Sequence, residues 1–280
     1  MRTIRAKEII DAVSDMCIQA NCEIDPQIHS ALMKAYETEE SPVGKGVLED
    51  LLNNANIAKA KQMPICQDTG MAVFFVEVGN RLIVEDMTIT EAINRGVSKG
   101  YQEGYLRKSV IADPLRRVNT KDNTPAVIHY EFTEGEQLKI TFAPKGFGSE
   151  NKSALKMLNP SDGIDGVIDF VIETVKKAGA NPCPPMVIGV GIGGTMDKAA
   201  CLSKKALTRD INCANPDSFY AELEKKLLEK INLLGIGPQG LGGTTTALAV
   251  NVETYPTHIA GLPVAVNINC HATRHAIVIL

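Results

Sequence analysis

The 280 residues exceed the usual size of a single domain, so one large domain or two lobes would fit. A hydrophobic fraction of 44%, no tryptophan and no apolar run of membrane-spanning length describe a soluble globular chain, and membrane partners are not expected. With a net charge of −4 and scattered Lys and Arg, there is no basic stripe for nucleic acid. Seven cysteines, an odd number without a CxxC pair, argue against a disulfide framework and a zinc ribbon.

The amino terminus, MRTIRAKEIIDAVSDM, mixes charge into a helical period and lacks the apolar stretch of a signal peptide, which makes the cytoplasm the expected location. Ile9, Val13, Met16, Cys17 and Ala20 form one apolar helical face. Asp25-Pro26 and Ser41-Pro42 each set a capping residue before a proline that loses nothing at the first helical position, and so open two more helices. The third is expected over residues 46 to about 62. Met71 to Val78, rich in Val and Phe, predicts a strand buried on at least one face. Thr88 and Glu91 spell a capping box for a helix running to about Leu106. From Ala126 to Ala143, two alternating segments around Glu134-Gly135 predict an antiparallel hairpin.

Residues 164 to 177 predict a helix stopped by Gly179. NPCPPMVIGVGIGGTMDKAA, from Asn181 to Ala200, then reads as strand, glycine turn and helix. Gly191-Ile-Gly-Gly-Thr195 is echoed by Gly240-Leu-Gly-Gly-Thr244, and two such turns could face one site. Gly189, Gly191 and Gly194 spell GxGxxG, but a lone match is a weak dinucleotide signal, and the acid near the right distance, Asp210, lies in a polar stretch. An anion-binding or tightly packed turn ranks higher.

Cys17, Cys22 and Cys201 fall on or beside helices and read as small core side chains, while Cys213 lies in a loop beside Asn215-Pro216 with no assigned role. Cys66 in ICQDTG, Cys183 in NPCPP and Cys270 in NINCHATRH stand instead where proline or polar residues interrupt regular structure. Taken alone, three unrelated loop thiols is the plainer reading. The sharper one is that three thiolates from separate loops suit three irons of a cubane cluster and leave the fourth open as a Lewis acid for dehydration chemistry.

The phrases ICQDTG, KGFGSENKS, NPCPP with GVGIGGT, GPQGLGGTTTALAV and THIAGLPVAVNINCHATRH, in this order, resemble the iron-sulfur-dependent class I fumarate hydratases and the related L-tartrate dehydratases. The likeness covers essentially the whole chain and is to the α subunit of the two-subunit form, since single-chain members continue into a second domain after the last phrase. It implies that Cys66, Cys183 and Cys270 ligate a 4Fe-4S cluster, and that Gln67 and Asp68 are carried to the same pocket by the turn that presents Cys66.

Asp68, by itself an N-cap or Asx-turn acid, would then support proton transfer, with the base, a threonine, coming from a β subunit. Arg107, otherwise a solvated helix-end cation, would clamp a substrate carboxylate in two places. Gly146 and Gly148 of KGFGSENK would offer backbone N–H groups to the dicarboxylate; many members have three consecutive glycines there, and Phe147 departs from that pattern. His258, in YPTHIAG, would hydrogen-bond the substrate or relay a proton. His271, Arg274 and His275 would support the surroundings of the last cysteine.

The expected architecture is α/β in two lobes with mixed sheets flanked by helices, 1–150 and 151–280, with the cluster site between the lobes. The expected function is that of a fumarate hydratase α subunit working in an αβ heterodimer or its dimer. The runner-up is the L-tartrate dehydratase α subunit, which differs in taking a second hydroxyl. A cluster-free binding or assembly subunit, its glycine turns holding a carboxylate or phosphate, is the alternative from another class.

Overall fold

The structure, a computed structural model, describes residues 1–280. In chain order the elements are β1 (Arg2–Arg5), α1 (Ala6–Cys22), α2 (Pro26–Thr38), α3 (Pro42–Lys61), β2 (Met71–Gly79), β3 (Leu82–Glu85), α4 (Ile89–Glu103), β4 (Val127–Thr133) and β5 (Leu138–Lys145). The short α5 (Phe147–Glu150), β6 (Ala154–Leu158), α6 (Gly163–Ala178), β7 (Met186–Gly193), α7 (Met196–Ala206), α8 (Ser218–Asn232), β8 (Ala247–Tyr255), β9 (Leu262–Asn269) and β10 (Ala276–Ile279) follow. The class is mixed α/β, as the sequence implies, and no helix is long and apolar enough to cross a membrane.

The chain forms two units, each assembled from separate stretches. The first comprises Met1–Asp25, Ala55–Phe147 and Arg274–Leu280; the second comprises Pro26–Asn54 and Gly148–Thr273.

In the first unit a four-stranded sheet has the order β10-β5-β2-β4, and β1 pairs with β3 in a small parallel ribbon. The expected 126–143 hairpin does not form. β4 and β5 lie on opposite sides of β2, parallel and antiparallel to it respectively. The physical reason is burial: β2 is MAVFFVEVG with seven of its nine residues buried, whereas β4 is half exposed and suits an edge. The Glu134-Gly135 turn therefore passes over the end of β2, where Gly79 donates to Gln137 O at 2.9 Å and Asn80 to Thr133 O at 2.8 Å. Helices α1 and α4 pack on the sheet through Ile9, Val13, Cys17, Ile93, Val97 and Tyr101, against Phe74, Ile140 and Phe142.

Three local expectations differ from the structure. Thr88 caps α4 by accepting from Glu91 N–H at 3.2 Å, but the reciprocal half of the capping box is missing because the Glu91 carboxylate pairs with Arg95 at 2.6 Å. Helix α4 also ends at Glu103, closed by Gly104, rather than near Leu106. α3 starts at its proline, Pro42, four residues before the expected start, with Ser41 Oγ accepting from Gly44 N–H at 3.2 Å.

The second unit is a mixed sheet of order β6-β9-β7-β8, with β7 parallel to β8 and antiparallel to β9. Central β7 is buried throughout, as helices on both faces require. Met186, Ile188, Val190 and Ile192 face the core shared with α6 and α8, so alternation turns Gly189 and Gly191 to the opposite face, against α7. A Cβ at Gly191 would lie 2.1 Å from Ala199 O. Two glycines of the GxGxxG string thus sit inside a strand and make room for a helix, which is the tight-packing reading of that string.

Candidate active site

In the first unit the ICQDTG turn hangs between α3 and β2, and its shape is dictated from several sides. Asp68 makes an Asx-type bond, Oδ1 accepting from Gly70 N–H at 3.0 Å, while Oδ2 accepts from Phe147 N–H at 2.9 Å. Buried Thr69 clamps a second segment, its Oγ1 accepting from Arg107 N–H at 2.9 Å and lying 3.2 Å from Arg107 O as donor. Tyr101, fully buried, donates its hydroxyl toward Thr69 O at 2.8 Å and Gly70 O at 3.1 Å. Burial is also what raises the pKa of that phenol, keeping it a neutral donor. Asn123 donates to Gly70 O at 3.2 Å and accepts from Ser109 and Val110 N–H; Arg274 donates to Asp68 O at 2.8 Å.

The first unit therefore brings together five of the sequence-predicted residues: Cys66, Gln67, Asp68, Arg107 and Gly146. Cys66 and Asp68 are half-buried, and Gln67 and Arg107 are exposed. A Cβ at Gly146 would stand 3.3 Å from Asp68 Oδ2, and in the KGFG turn the N–H that reaches this carboxylate belongs to Phe147. Backbone anchoring of Arg107 leaves its guanidinium available for a planar anion.

In the second unit the NPCPP turn places Cys183 in left-handed backbone at φ 57°. The NINCHATRH turn meets it: His271 N–H donates to Cys183 O at 3.2 Å, and His271 Nδ1 lies 3.1 Å from the same oxygen. Thr273 closes the second turn on Cys270 O at 3.1 Å through both N–H and hydroxyl. Cys183 is exposed and Cys270 half-buried. Gly148 lies beside this pair of turns, its missing Cβ 3.9 Å from Asn181 O. His258 occupies an exposed turn whose Nδ1 accepts from Ala260 N–H at 3.2 Å, a bond that leaves the proton of a neutral ring on Nε2. It makes no hydrogen bond to either cysteine turn.

The remaining cysteines separate by environment. Burial raises the thiol pKa of Cys17, Cys22 and Cys201, which disfavours the thiolate that metal ligation needs and agrees with a packing role. Cys66, Cys183 and Cys270 form no disulfide and stand on turns, none of them fully buried. Thiolates are the donors an iron-sulfur cluster takes, one on each iron, and no group of three His, Cys, Asp or Glu side chains that could hold a metal ion is gathered in the structure.

Sequence reasoning missed the residues that fix these turns. Thr69 is hidden inside the DTG word, and Tyr101 and Asn123 look like ordinary helix and loop positions. Of the three residues expected around the last cysteine, His271 does touch the Cys183 turn. Arg274 donates to Asp68 O at 2.8 Å, and His275 approaches Asp25 at 3.6 Å.

The family model of fumarate hydratase (fumerase) matches residues 10–279. The chain belongs to that family, one of hydro-lyases. Among its relatives is a Methanocaldococcus jannaschii protein provisionally named L(+)-tartrate dehydratase subunit alpha, 46% identical over 276 residues and covering 96% of both chains. The L(+)-tartrate dehydratase α subunits of Escherichia coli UTI89 and K12 are 33% and 32% identical over 273 residues, covering 95% of this chain and 89% of theirs.

Proposed function

We propose that the chain is the α subunit of a two-subunit hydro-lyase that interconverts fumarate and S-malate. The observation that carries the reading is the Thr69 clamp, which ties a loop cysteine, an acid and an arginine into one turn cluster. An elimination from a hydroxy dicarboxylate needs such a set: a grip on a carboxylate, a group to manage the proton, and an electrophile for the departing hydroxyl.

Arg107 grips one substrate carboxylate through its planar fork, and Gln67 with the backbone of Gly146 and Gly148 orients the rest of the dicarboxylate. Asp68, held still by two N–H donors, supports the transfer of the proton from the carbon beside the leaving hydroxyl, the base itself coming from the β subunit. His258 presents Nε2–H as a donor to the substrate. Cys66, Cys183 and Cys270 would hold a 4Fe-4S cluster, which would supply Lewis-acid chemistry for the departing hydroxyl. None of the seven cysteines is in a disulfide, which suits the cytoplasm, and the α-subunit names of the relatives support an αβ assembly.

A second reading, L-tartrate dehydration, is favoured by those same names. The hydroxy acids of the two reactions, malate and tartrate, differ by one hydroxyl, and a site built to hydrogen-bond that hydroxyl discriminates strongly against the analogue lacking it. The deciding experiment is anaerobic iron-sulfide reconstitution of the chain with a co-expressed β subunit, followed by fumarate hydration and tartrate dehydration assays on one preparation, with Cys66→Ser alongside. Fumarate turnover abolished by Cys66→Ser supports the first reading, and preference for tartrate supports the second. A complex that takes up no cluster and turns over neither substrate sinks both.

A further inference from the structure

The loop between α8 and β8, GIGPQGLGGTT from Gly235 to Thr245, has no part in the chemistry above, yet one side chain in it touches both cysteine turns of the second unit. Gln239 donates its backbone N–H to Pro184 O at 2.8 Å and its side-chain Nε2 to the same oxygen at 3.0 Å. That Nε2 also lies 3.1 Å from His271 Nδ1, and His271 N–H is the donor to Cys183 O. Gln239 adopts φ 53°, so the loop spends conformational energy on this placement.

The far end of the loop is fastened with equal care. Thr244 and Thr245 donate their N–H groups to the two oxygens of Glu39 at 2.8 and 2.9 Å, and Glu39 is 2% exposed. Gly243 adopts φ 131°, a backbone conformation that favours glycine, and a Cβ there would also come within 2.6 Å of Glu39 Oε1. Between the ends, Gly242 N–H closes on Ile236 O at 2.9 Å and Gly237 N–H on Thr246 Oγ1 at 3.2 Å.

We propose that Gln239 is a positioning residue for the Cys183 and Cys270 thiolates, locking their two turns at one spacing, with Glu39 as the anchor of its loop. The inference rests on the reading of these cysteines as cluster ligands. A cubane has fixed iron positions, so turns already set at the right spacing spare the thiolates a rearrangement, and loosening them shows first as faster loss of iron.

The test is made on the full chain reconstituted anaerobically with ferrous iron and sulfide, comparing wild type with Gln239→Ala and Gln239→Glu. The glutamate keeps the length of the side chain but turns an acceptor toward Pro184 O, so it separates hydrogen bonding from packing. Both variants should release iron to a ferrous chelator on the order of 10-fold faster than wild type. An Ile231→Val core variant of the same unit should lose stability without that change. Should Gln239→Ala fold poorly, Glu39→Gln should give faster release in the same direction. Wild-type release rates in both Gln239 variants overturn the proposal, and so does fast release from the alanine variant alone.

A parallel measurement separates failure of the proposal from failure of the cluster reading. In cluster-free protein, alkylation rates followed by mass spectrometry should change in the Gln239 variants at Cys183 and Cys270 but not at Cys66, which lies in the other unit. A wild type that takes up no iron sinks the cluster reading, and the thiol rates then decide the positioning role: unchanged rates overturn it.

Discussion

Replacing Glu39 by glutamine should destabilise the chain in a way that depends on pH, with a sign fixed by the geometry. Burial pushes the Glu39 carboxyl up, but the N–H groups of Thr244, Ser41 and Thr245 outweigh it and bring the pKa from 4.5 to about 2. At about 1.4 kcal/mol per unit, the ionised side chain contributes roughly 3 kcal/mol to folding at neutral pH. Because the folded-state value lies below the unfolded one, that contribution is complete above about pH 4.5 and drains away as pH falls toward 2. By pH 3 roughly 2 of the 3 kcal/mol should be gone. Glutamine is the same size and keeps one acceptor, but its NH2 must face an N–H donor at Thr245, and it carries no charge. Urea unfolding of the cluster-free chain, followed by circular dichroism because there is no tryptophan, should show wild type ahead of Glu39→Gln by roughly 2–3 kcal/mol at pH 7, the gap narrowing at pH 3. A gap equal at both pH values, or absent at pH 7, would refute the cradle as the source of the stability.

Three further substitutions probe other parts of the structure. Gly191→Ala puts a methyl 2.1 Å from Ala199 O and 2.6 Å from Ser203 N, so α7 must shift off β7; a loss of about 3 kcal/mol or insoluble expression is expected, read from yield and thermal midpoint. Asp68→Asn keeps an acceptor for Gly70 N–H but turns its NH2 toward Phe147 N–H, so the thermal midpoint should fall a little; a role in proton transfer should in addition lower kcat on the order of 10²–10⁴-fold with KM nearly unchanged, whereas a purely structural acid would leave the kcat of the folded enzyme near wild type. Arg107→Lys leaves both backbone bonds to Thr69 in place but removes the two-pronged grip. It should raise KM roughly tenfold, about 1.4 kcal/mol, with the fold intact by circular dichroism.

Most elements were legible because local signals and burial agree. Proline starts α2 and α3, Gly179 closes α6, and the Val and Phe run of β2 is the strand it looks like. The hairpin failed because alternation and a turn say that two segments are strands but not which partner each takes. β2, with more apolar surface to hide, took the central position between them. The capping box was half right because Glu91 had a competing partner one turn along the helix. Division of the chain was harder still. Nothing in residues 26–54 announces that they pack with the second unit, nor in the last seven residues that they return to the first. At the site, Cys66, Asp68 and Arg107 could each be picked out, yet what joins them is a threonine hydroxyl bonding 38 residues away, which no local pattern encodes.

The two echoed glycine turns carry that argument furthest. Glycine in a sequence marks a place where a side chain is excluded, but it does not say what excludes it. At Gly189 and Gly191 the excluding group is the backbone of α7, with Ser203 O and Ala199 O standing 2.0 and 2.1 Å from where a Cβ would be. At Gly243 it is the carboxylate of Glu39, and the neighbouring N–H groups of Thr244 and Thr245 grip that carboxylate as they would a bound anion. The flanking residues hold the distinction. Val and Ile alternate with the first pair of glycines and commit them to a strand interior, where the helix presses too closely for a pyrophosphate to enter at those two positions. Pro238 and a run of left-handed residues commit the second set to a loop, whose free N–H groups must find an acceptor, and the chain supplies its own in Glu39. An anion cradle already occupied by a side chain of the same protein is an anchor, and its ligand was fixed when the chain folded.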